Sequence, residues 1–272
     1  MSKTSFFGAL GWLFLLLAFR QSEPSQISYS KDPRLLAATW FGLSAENQAC
    51  YLQTYQLAAL QLKPVLKEAS VSKKKKAIVT DLDETVLDNS PWTLKVLLEG
   101  KDYPSYWSDW EKAGKAPAFP GAVDFFKKAA SLKVEVFYIS NRMHENLGAT
   151  IQNLKSLGLP FADSAHVFLK TTESNKVARR IRVLEKHQIV MLLGDNLADF
   201  DEVWEPKAQP DERLTAVKNH KADWGKRYFI FPNPVYGTWK DALFSYKRGL
   251  NDLQSDSVWQ QYLSEYVSKN RF

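Results

Sequence analysis

Ala77-Ile78-Val79-Thr80-Asp81-Leu82-Asp83-Glu84-Thr85-Val86-Leu87-Asp88-Asn89-Ser90 is a short apolar run, rich in β-branched residues, that ends in two carboxylates two residues apart. Ala77 to Val79 is too short for a helix and has the composition of a central strand closed by a polar turn. In open α/β sheets chemistry gathers beyond the carboxyl ends of such strands, which is where Asp81 and Asp83 stand. Asp is also a common turn residue, so the pair alone does not separate a site from an acidic turn.

Three other stretches decide between these. Ile189-Val190-Met191-Leu192-Leu193-Gly194 has the same strand character and ends in Asp195-Asn196-Leu197-Ala198-Asp199-Phe200-Asp201. Val134-Glu135-Val136-Phe137-Tyr138-Ile139 ends instead in Ser140-Asn141-Arg142, a hydroxyl and amide cluster. Lys176 stands near the start of an amphipathic helix. Three strand tips and one lysine thus supply carboxylates, phosphate-binding donors and a cation.

Outward from these tips, helices are predicted over Gly121 to Leu132, His144 to Leu157 and Ser174 to His187, with strands at Val167-Phe168-Leu169 and Tyr228-Phe229-Ile230-Phe231. Alternating strand and helix predicts an α/β fold with a doubly wound parallel sheet. Two helices are predicted between Pro33 and about Glu68. Leu35, Leu36, Trp40 and Phe41 form the apolar face of the first, and Leu52, Tyr55, Ala59, Leu60 and Leu66 that of the second, with Ser44 as its N-cap. Pro91 to Pro120 holds Trp92, Tyr103, Tyr106, Trp107 and Trp110 without strand alternation and reads as a compact helical insertion. Residues 205 to 224 are polar, carry two prolines and read as a long surface loop or flap.

Asp81-x-Asp83-x-Thr85, Ser140, Lys176 and Gly194-Asp195-x-x-x-Asp199 resemble, in order, the four motifs of the haloacid dehalogenase-like phosphohydrolases. Within that superfamily, the stretches Asp83 to Ser90, Tyr138 to Arg142 and Gly194 to Phe200 are similar to the class C acid phosphatases. These four-aspartate enzymes include bacterial surface lipoproteins with 5'-nucleotidase activity. The resemblance runs from about Leu35 to Leu250. It implies an α/β core over about residues 73–90 and 120–235, beside a small helical domain built from about 33–72, 91–119 and 236–272.

Phosphate monoesters hydrolyse very slowly unaided, enzymes supplying up to about 10²¹-fold, so such a site must neutralise charge as well as offer a nucleophile. Asp81 is expected to attack phosphorus and form an aspartyl-phosphate. A divalent cation is then needed between two anions, and Mg²⁺ suits the carboxylates of Asp81 and Asp195 with the main-chain carbonyl of Asp83. Asp199 either holds a metal-bound water or is an acid at a helix N-terminus. Asp83 is expected to protonate the leaving alcohol and then take a proton from water. An Asp at this place separates phosphatases of the superfamily from its dehalogenases, which the resemblance implies. Ser140 and the Asn141 amide are expected to bind phosphoryl oxygens, and Lys176 to neutralise them. Arg142 is read as structural or as a rim contact. His144, His166, His187 and His220 have no zinc spacing.

The substrate side rests on Asn233-Pro234-Val235-Tyr236-Gly237-Thr238-Trp239, which follows the last strand. The matching tyrosine of the class C enzymes belongs to their substrate pocket, so Tyr236 is expected to stack on a nucleobase, with Trp107 as its partner. The alternative is that Tyr236 and Trp239 pin the C-terminal helices to the sheet.

The 272 residues allow a domain of ordinary composition, 45% hydrophobic and 24% charged. The formal charge of +6 is a mild excess, which excludes a nucleic acid polymer as the expected partner. Lys73 to Lys76 is its one dense run and reads as a solvated turn leading into a strand. Residues 1–22 have Lys3, an apolar run from Phe6 to Phe19 and then Arg20-Gln21-Ser22, the outline of an export signal. Fourteen residues are few for a membrane span, which takes about 20. Cleavage and retention as an anchor both stay open, and membrane contact is expected only through an uncleaved segment. No cysteine precedes Cys50, so the lipid anchor of many relatives is not supported, and Cys50 reads as a small buried residue.

Three functions compete. The first is an exported Mg²⁺-dependent acid phosphatase acting on phosphate monoesters, nucleotides included, with a homodimer implied by the relatives. The second is a phosphotransferase or phosphatase of another substrate class on the same core. The third is a binding or storage protein, a fate of plant relatives that lost the nucleophile, against which Asp81 and Asp83 count.

Overall fold

The computed structural model describes residues 32–204 and 208–269. The expected export signal over residues 1–22 lies outside the described residues. In chain order the elements are α1 (Leu35–Leu43), α2 (Ala45–Glu68), β1 (Lys75–Thr80), α3 (Ser90–Leu98), α4 (Trp107–Ala113), α5 (Ala122–Ser131), β2 (Glu135–Met143), α6 (Leu147–Ser156), β3 (Val167–Lys170), α7 (Val177–Lys186), β4 (His187–Gly194), α8 (Pro210–Asn219), β5 (Tyr228–Ile230), α9 (Thr238–Leu243) and α10 (Asp252–Lys269). The strands form one parallel sheet in the order β3-β2-β1-β4-β5.

A central parallel strand is buried on both faces, which is why Ala77 to Val79 reads as a continuous apolar run rather than an alternating one. Ile78, Val136, Tyr138, Met191 and Leu193 point into one core layer with Tyr51, Tyr55 and Leu62 of α2 and Phe125 and Phe126 of α5. Ala77, Val79, Phe137, Ile139 and Leu192 point into the other, against Val183 of α7, Phe200, Trp204 and Ala216. Each fully buried aromatic or aliphatic side chain contributes about 1.5–3 kcal/mol. The strand order reverses at β1, whose neighbours β2 and β4 carry the chain to opposite edges, and at that switch point their carboxyl ends open a crevice.

Several sequence expectations are corrected. On α2 the buried stripe is Tyr51, Tyr55, Ala58, Leu62 and Val65, whereas Leu52 and Leu60 are exposed. Both sets have helical spacing, and the packed one is fixed by the aromatic contacts of Tyr51 and Tyr55 with Phe119, Phe125 and Phe231. Leu36 of α1 is likewise exposed. Cys50, expected inside, is exposed one residue before that stripe. Lys75 and Lys76 belong to β1 rather than to a turn, and their amines reach Glu135 and Gln188 of the flanking strands. Within 205–224, the described part is not a flap. Pro210 opens α8 at a position where its missing N–H is unneeded, Gln209 and Glu212 close a capping box, and Arg213 and Ala216 are buried. Ser44 does cap α2, accepting from Asn47 N at 3.1 Å. Among the described residues no helix is long and apolar enough to cross a membrane.

Candidate active site

The ladder between β1 and β4 continues one residue past β1, since Asp81 N donates to Leu193 O at 2.9 Å. The chain then folds into a tight turn in which Leu82 O accepts from Thr85, Val86 and Leu87. Glu84 sits in the left-handed region at φ 57, with its carboxylate buried. A glutamate pays about 1–3 kcal/mol to stay there, so the surroundings must hold it. Two tyrosines of α2 do so: Tyr51 Oη donates to Glu84 O at 2.5 Å and Tyr55 Oη to Thr85 O at 2.9 Å.

That turn sends Asp81 and Asp83 into different surroundings. Asp81 Oδ1 accepts from Lys176 Nζ at 2.5 Å, and the same amine donates to Asp199 Oδ1 at 2.6 Å. Lys176, just before α7, is anchored by two arginines. Arg179 donates to Ser140 O at 2.6 Å and to Asn141 Oδ1 at 2.7 Å, and Arg180 to Ala198 O at 2.8 Å. Burial disfavours a charged Lys176, but Asp199 and Asp81 outweigh it and raise its pKa, so it is a cation.

Asp195 and Asp199 hang from the end of β4. Asp199 Oδ2 accepts from Asn196 N at 3.1 Å, closing a cap on a single 3₁₀ turn, so Asp199 is both a helix N-terminal acid and a member of the cluster. Gly194 permits this approach, because a Cβ there would lie 2.4 Å from Asp199 Cβ. Asp195 Oδ2 accepts from Asn233 Nδ2 at 2.8 Å. Burial, with the Asp199 charge, pushes the Asp195 carboxyl up to about 7. Burial also drives Asp81 well above the usual carboxylate range, the charges of Asp199 and Asp195 adding to it against Lys176.

Asp81, Asp195 and Asp199 each offer an oxygen, all within 4.8 Å of one another. Three carboxylates in one crevice with a single lysine among them are under-neutralised, as the raised Asp81 and Asp195 show. A divalent cation fits this set, and an all-oxygen donor set selects a hard one.

The Asp83 carboxylate is not part of that cluster. Its Oδ1 accepts from Arg142 Nε at 2.8 Å and Asn89 Nδ2 at 2.9 Å, and its Oδ2 from Ser140 Oγ at 2.9 Å. Burial raises its pKa, but Arg142, Asn89 and Ser140 outweigh burial and lower it. Arg142 is only 1% exposed and forms a buried ion pair with Asp83, so of the two expected readings, structural or rim contact, the rim contact is excluded. Ser140 is fully buried, its hydroxyl committed to Asp83, while Asn141 is exposed.

Tyr236 and Trp107 reach different neighbours of Asp83, Glu84 and Arg142 respectively. Tyr236 Oη donates to Glu84 Oε2, while its ring is 41% exposed. Trp107 packs edge-on to Trp92 at 4.8 Å and lies 5.9 Å from the Arg142 guanidinium. Among the described residues no ring contact joins Tyr236 to Trp107.

Sequence reasoning overlooked Glu84, Asn89, Arg179, Arg180 and Asn233. Glu84 and Asn89 stood inside the quoted stretch, and their acid and amide side chains were the available signal. The arginines of a polar helix face gave none.

Residues 36–239 match the family model of the HAD superfamily, subfamily IIIB (acid phosphatase). The chain is 40% identical to the class C acid phosphatase of Bacillus anthracis, with a TM-score of 0.79 over 84% of this chain and 95% of that one. The tungstate-bound form of the same Bacillus anthracis enzyme superposes with a TM-score of 0.79 at 41% identity, again over 84% and 95% of the two chains. Plant proteins are more distant: a stem 31 kDa glycoprotein of Glycine max is 25% identical over 57% of each chain, and vegetative storage protein 1 of Arabidopsis thaliana 26% identical over 70% of each. The chain thus spans a little over half the length of that soybean relative. With three polar strand tips and one lysine gathered at one switch point and a family model covering most of the chain, this protein belongs to the subfamily IIIB acid phosphatases of the HAD superfamily.

Proposed function

We propose that this acid phosphatase is an exported, Mg²⁺-dependent enzyme that hydrolyses small phosphate monoesters, nucleoside 5'-monophosphates among them, through an aspartyl-phosphate on Asp81. The observation that carries this reading is the Asp81 carboxylate, 2.5 Å from the Lys176 amine and within 4.8 Å of oxygens of Asp195 and Asp199. Asp81 is thereby aimed into a crevice where a cation and a lysine offset the charge of an incoming phosphoryl group.

Asp81 and Asp195, with the main-chain carbonyl of Asp83, would hold Mg²⁺, and Asp199 would orient its outer ligands. Bound there, the metal supplies positive charge and polarises the phosphoryl oxygens. Lys176 keeps Asp81 pointed at phosphorus and neutralises the phosphoryl oxygens beside it. The Asn141 main-chain amide would bind a phosphoryl oxygen, and the Ser140 hydroxyl would do the same by turning from Asp83, to which it donates in the free protein. Asp83 gives its proton to the leaving oxygen, and the resulting carboxylate later accepts a proton from the attacking water. Tyr236 and Trp107 supply the aromatic surfaces for a nucleoside.

Phosphate release measured on a nucleoside 5'-monophosphate, a sugar phosphate and a phosphopeptide, with and without EDTA, tests the reading. Turnover of the nucleotide that is lost in EDTA and restored by Mg²⁺ is expected. Turnover indifferent to EDTA, or confined to the phosphopeptide, would count against the metal or the substrate class respectively. Export is checked by fractionation, with the protein expected outside the cytoplasm, and N-terminal sequencing shows whether residues 1–22 are removed.

A further inference from the structure

A buried arginine and carboxylate are costly to desolvate, and replacing such a pair with apolar residues is often neutral or stabilising. Fold stability alone therefore does not account for the surroundings of Asp83. Arg142 reaches Asp83 Oδ1 with both Nε and Nη2, each at 2.8 Å, and donates from Nη2 to Asn89 Oδ1 at 3.2 Å. Asn89, itself buried, closes the triangle by donating to Asp83 Oδ1 at 2.9 Å. The remaining lone pair of Asn89 Oδ1 takes the indole N–H of Trp110 at 2.7 Å. Both acceptor sites of the amide are then filled, so its nitrogen must face Asp83. Ser140 fixes the other carboxylate oxygen at 2.9 Å. The result is a carboxyl group whose direction is set by β2, by the turn after β1 and by α4 at once.

We propose that Arg142, Asn89 and Trp110 are positioning residues for Asp83, with Trp110 acting through Asn89, and that they serve the departure of the leaving group. The proposal rests on the reading of Asp83 as proton donor. In that step the Asp81 oxygen to phosphorus bond forms and the bond from phosphorus to the leaving oxygen breaks. The proton of the Asp83 carboxyl passes to that oxygen, releasing an alcohol, and Asp83 is left as the carboxylate that Arg142 and Asn89 hold. The guanidinium and the amide both hold Oδ1, so the carboxyl is fixed through that oxygen while Oδ2, bonded only to Ser140, is the oxygen placed to hand over the proton. A leaving group that needs no proton gains little from this arrangement, whereas an alkoxide gains most.

The test compares kcat/KM, which reports events up to departure of the alcohol, on p-nitrophenyl phosphate and on an alkyl phosphate such as glycerol phosphate, in saturating Mg²⁺. Asp83→Asn is the reference, and its loss should be greater on the alkyl phosphate by about 10²-fold or more, the range of general acid catalysis. Trp110→Phe keeps a ring and deletes the N–H, and its loss should be greater on the alkyl phosphate by about 5-fold, with Arg142→Lys about 10-fold or more, as partial fractions of the same effect. Equal losses on the two substrates in both variants, with Asp83→Asn discriminating, would overturn the positioning role and leave the acid assignment standing. No discrimination in Asp83→Asn would overturn the acid assignment and this proposal with it. If Arg142→Lys fails to fold, judged by its melting transition, Trp110→Phe decides alone.

Discussion

Asp81 and Asp83 are two residues apart on one strand tip, yet one is buried among carboxylates and the other is clasped by donors. This difference separates their expected variants. In the proposed roles Asp81→Asn removes the nucleophile and a metal ligand together, so turnover should fall below a few per cent and Mg²⁺ binding should weaken in calorimetry. Asp83→Asn should be nearly as slow on alkyl phosphates but should keep Mg²⁺ binding, because its side chain lies outside the carboxylate cluster. Loss of Mg²⁺ binding in that variant would contradict the division of roles. Tyr236 has an exposed ring and a hydroxyl tethered to Glu84, a geometry that fixes the direction of a stacking surface. With stacking worth about 1–3 kcal/mol per base, Tyr236→Ala should lower kcat/KM for a nucleoside 5'-monophosphate by roughly 5- to 150-fold and affect an aliphatic phosphate little. Equal losses would make Tyr236 a structural pin. The acidic residues were legible because four carboxylates at strand tips have few bland explanations. Arg142 was not, since its burial depends on which side of β2 faces Asp83, a relation between distant strands.

At the level of elements, strands were easier to place than helix faces. Five apolar runs announced a parallel sheet, but α2 carries apolar residues at two helical registers, and the stripe that packs is chosen by Phe119, Phe125 and Phe231 on other elements. Pro210 was misread for a related reason: proline marks a loop or a helix start, and only the Gln209 and Glu212 cap distinguishes the two. The junction of β4 with the turn that follows makes a sharper case. Gly194 ends β4, and a methyl group there would meet the Asp199 carboxylate at 2.4 Å, too close for any rotamer shift to leave Asp199 in place. Gly194→Ala should therefore push Asp199 off Lys176 and Asn196 N. The expected outcome is a loss of activity of about 10²-fold, comparable with a 1 Å misplacement of a catalytic group, with a folded protein by circular dichroism. Activity within a factor of two of the parent would show that Asp199 is dispensable or that the turn yields freely.

For the whole molecule, the price of a preformed anionic crevice is instability whenever no cation fills it. Asp195, pushed up to about 7 by burial and by Asp199, binds a proton more tightly in the folded protein than in the unfolded chain. A carboxyl raised in this way contributes stability that is fully present below its unfolded pKa, near 3.8, and lost as pH rises through its folded value. The same sign applies to Asp81, raised chiefly by burial. In EDTA the protein should therefore melt at a lower temperature at pH 7.5 than at pH 5. For a shift from 3.8 to about 7 the loss is on the order of 2–4 kcal/mol, roughly 5–10 °C for a chain of this size. On the proposed reading Mg²⁺ binds the ionised carboxylates and only the folded state, so at 100 times its dissociation constant it should restore about 2.7 kcal/mol at pH 7.5. Other groups contribute to the pH dependence, so the decisive quantity is the difference between the parent and Asp195→Asn. The neutral amide cannot charge, hence the variant should show a shallower pH slope in EDTA and little response to Mg²⁺, although it retains the hydrogen-bonding partner Asn233. Parallel melting curves for the two proteins across pH and Mg²⁺ would show that the cluster is already neutralised by Lys176, and that the metal, if required, acts at another place.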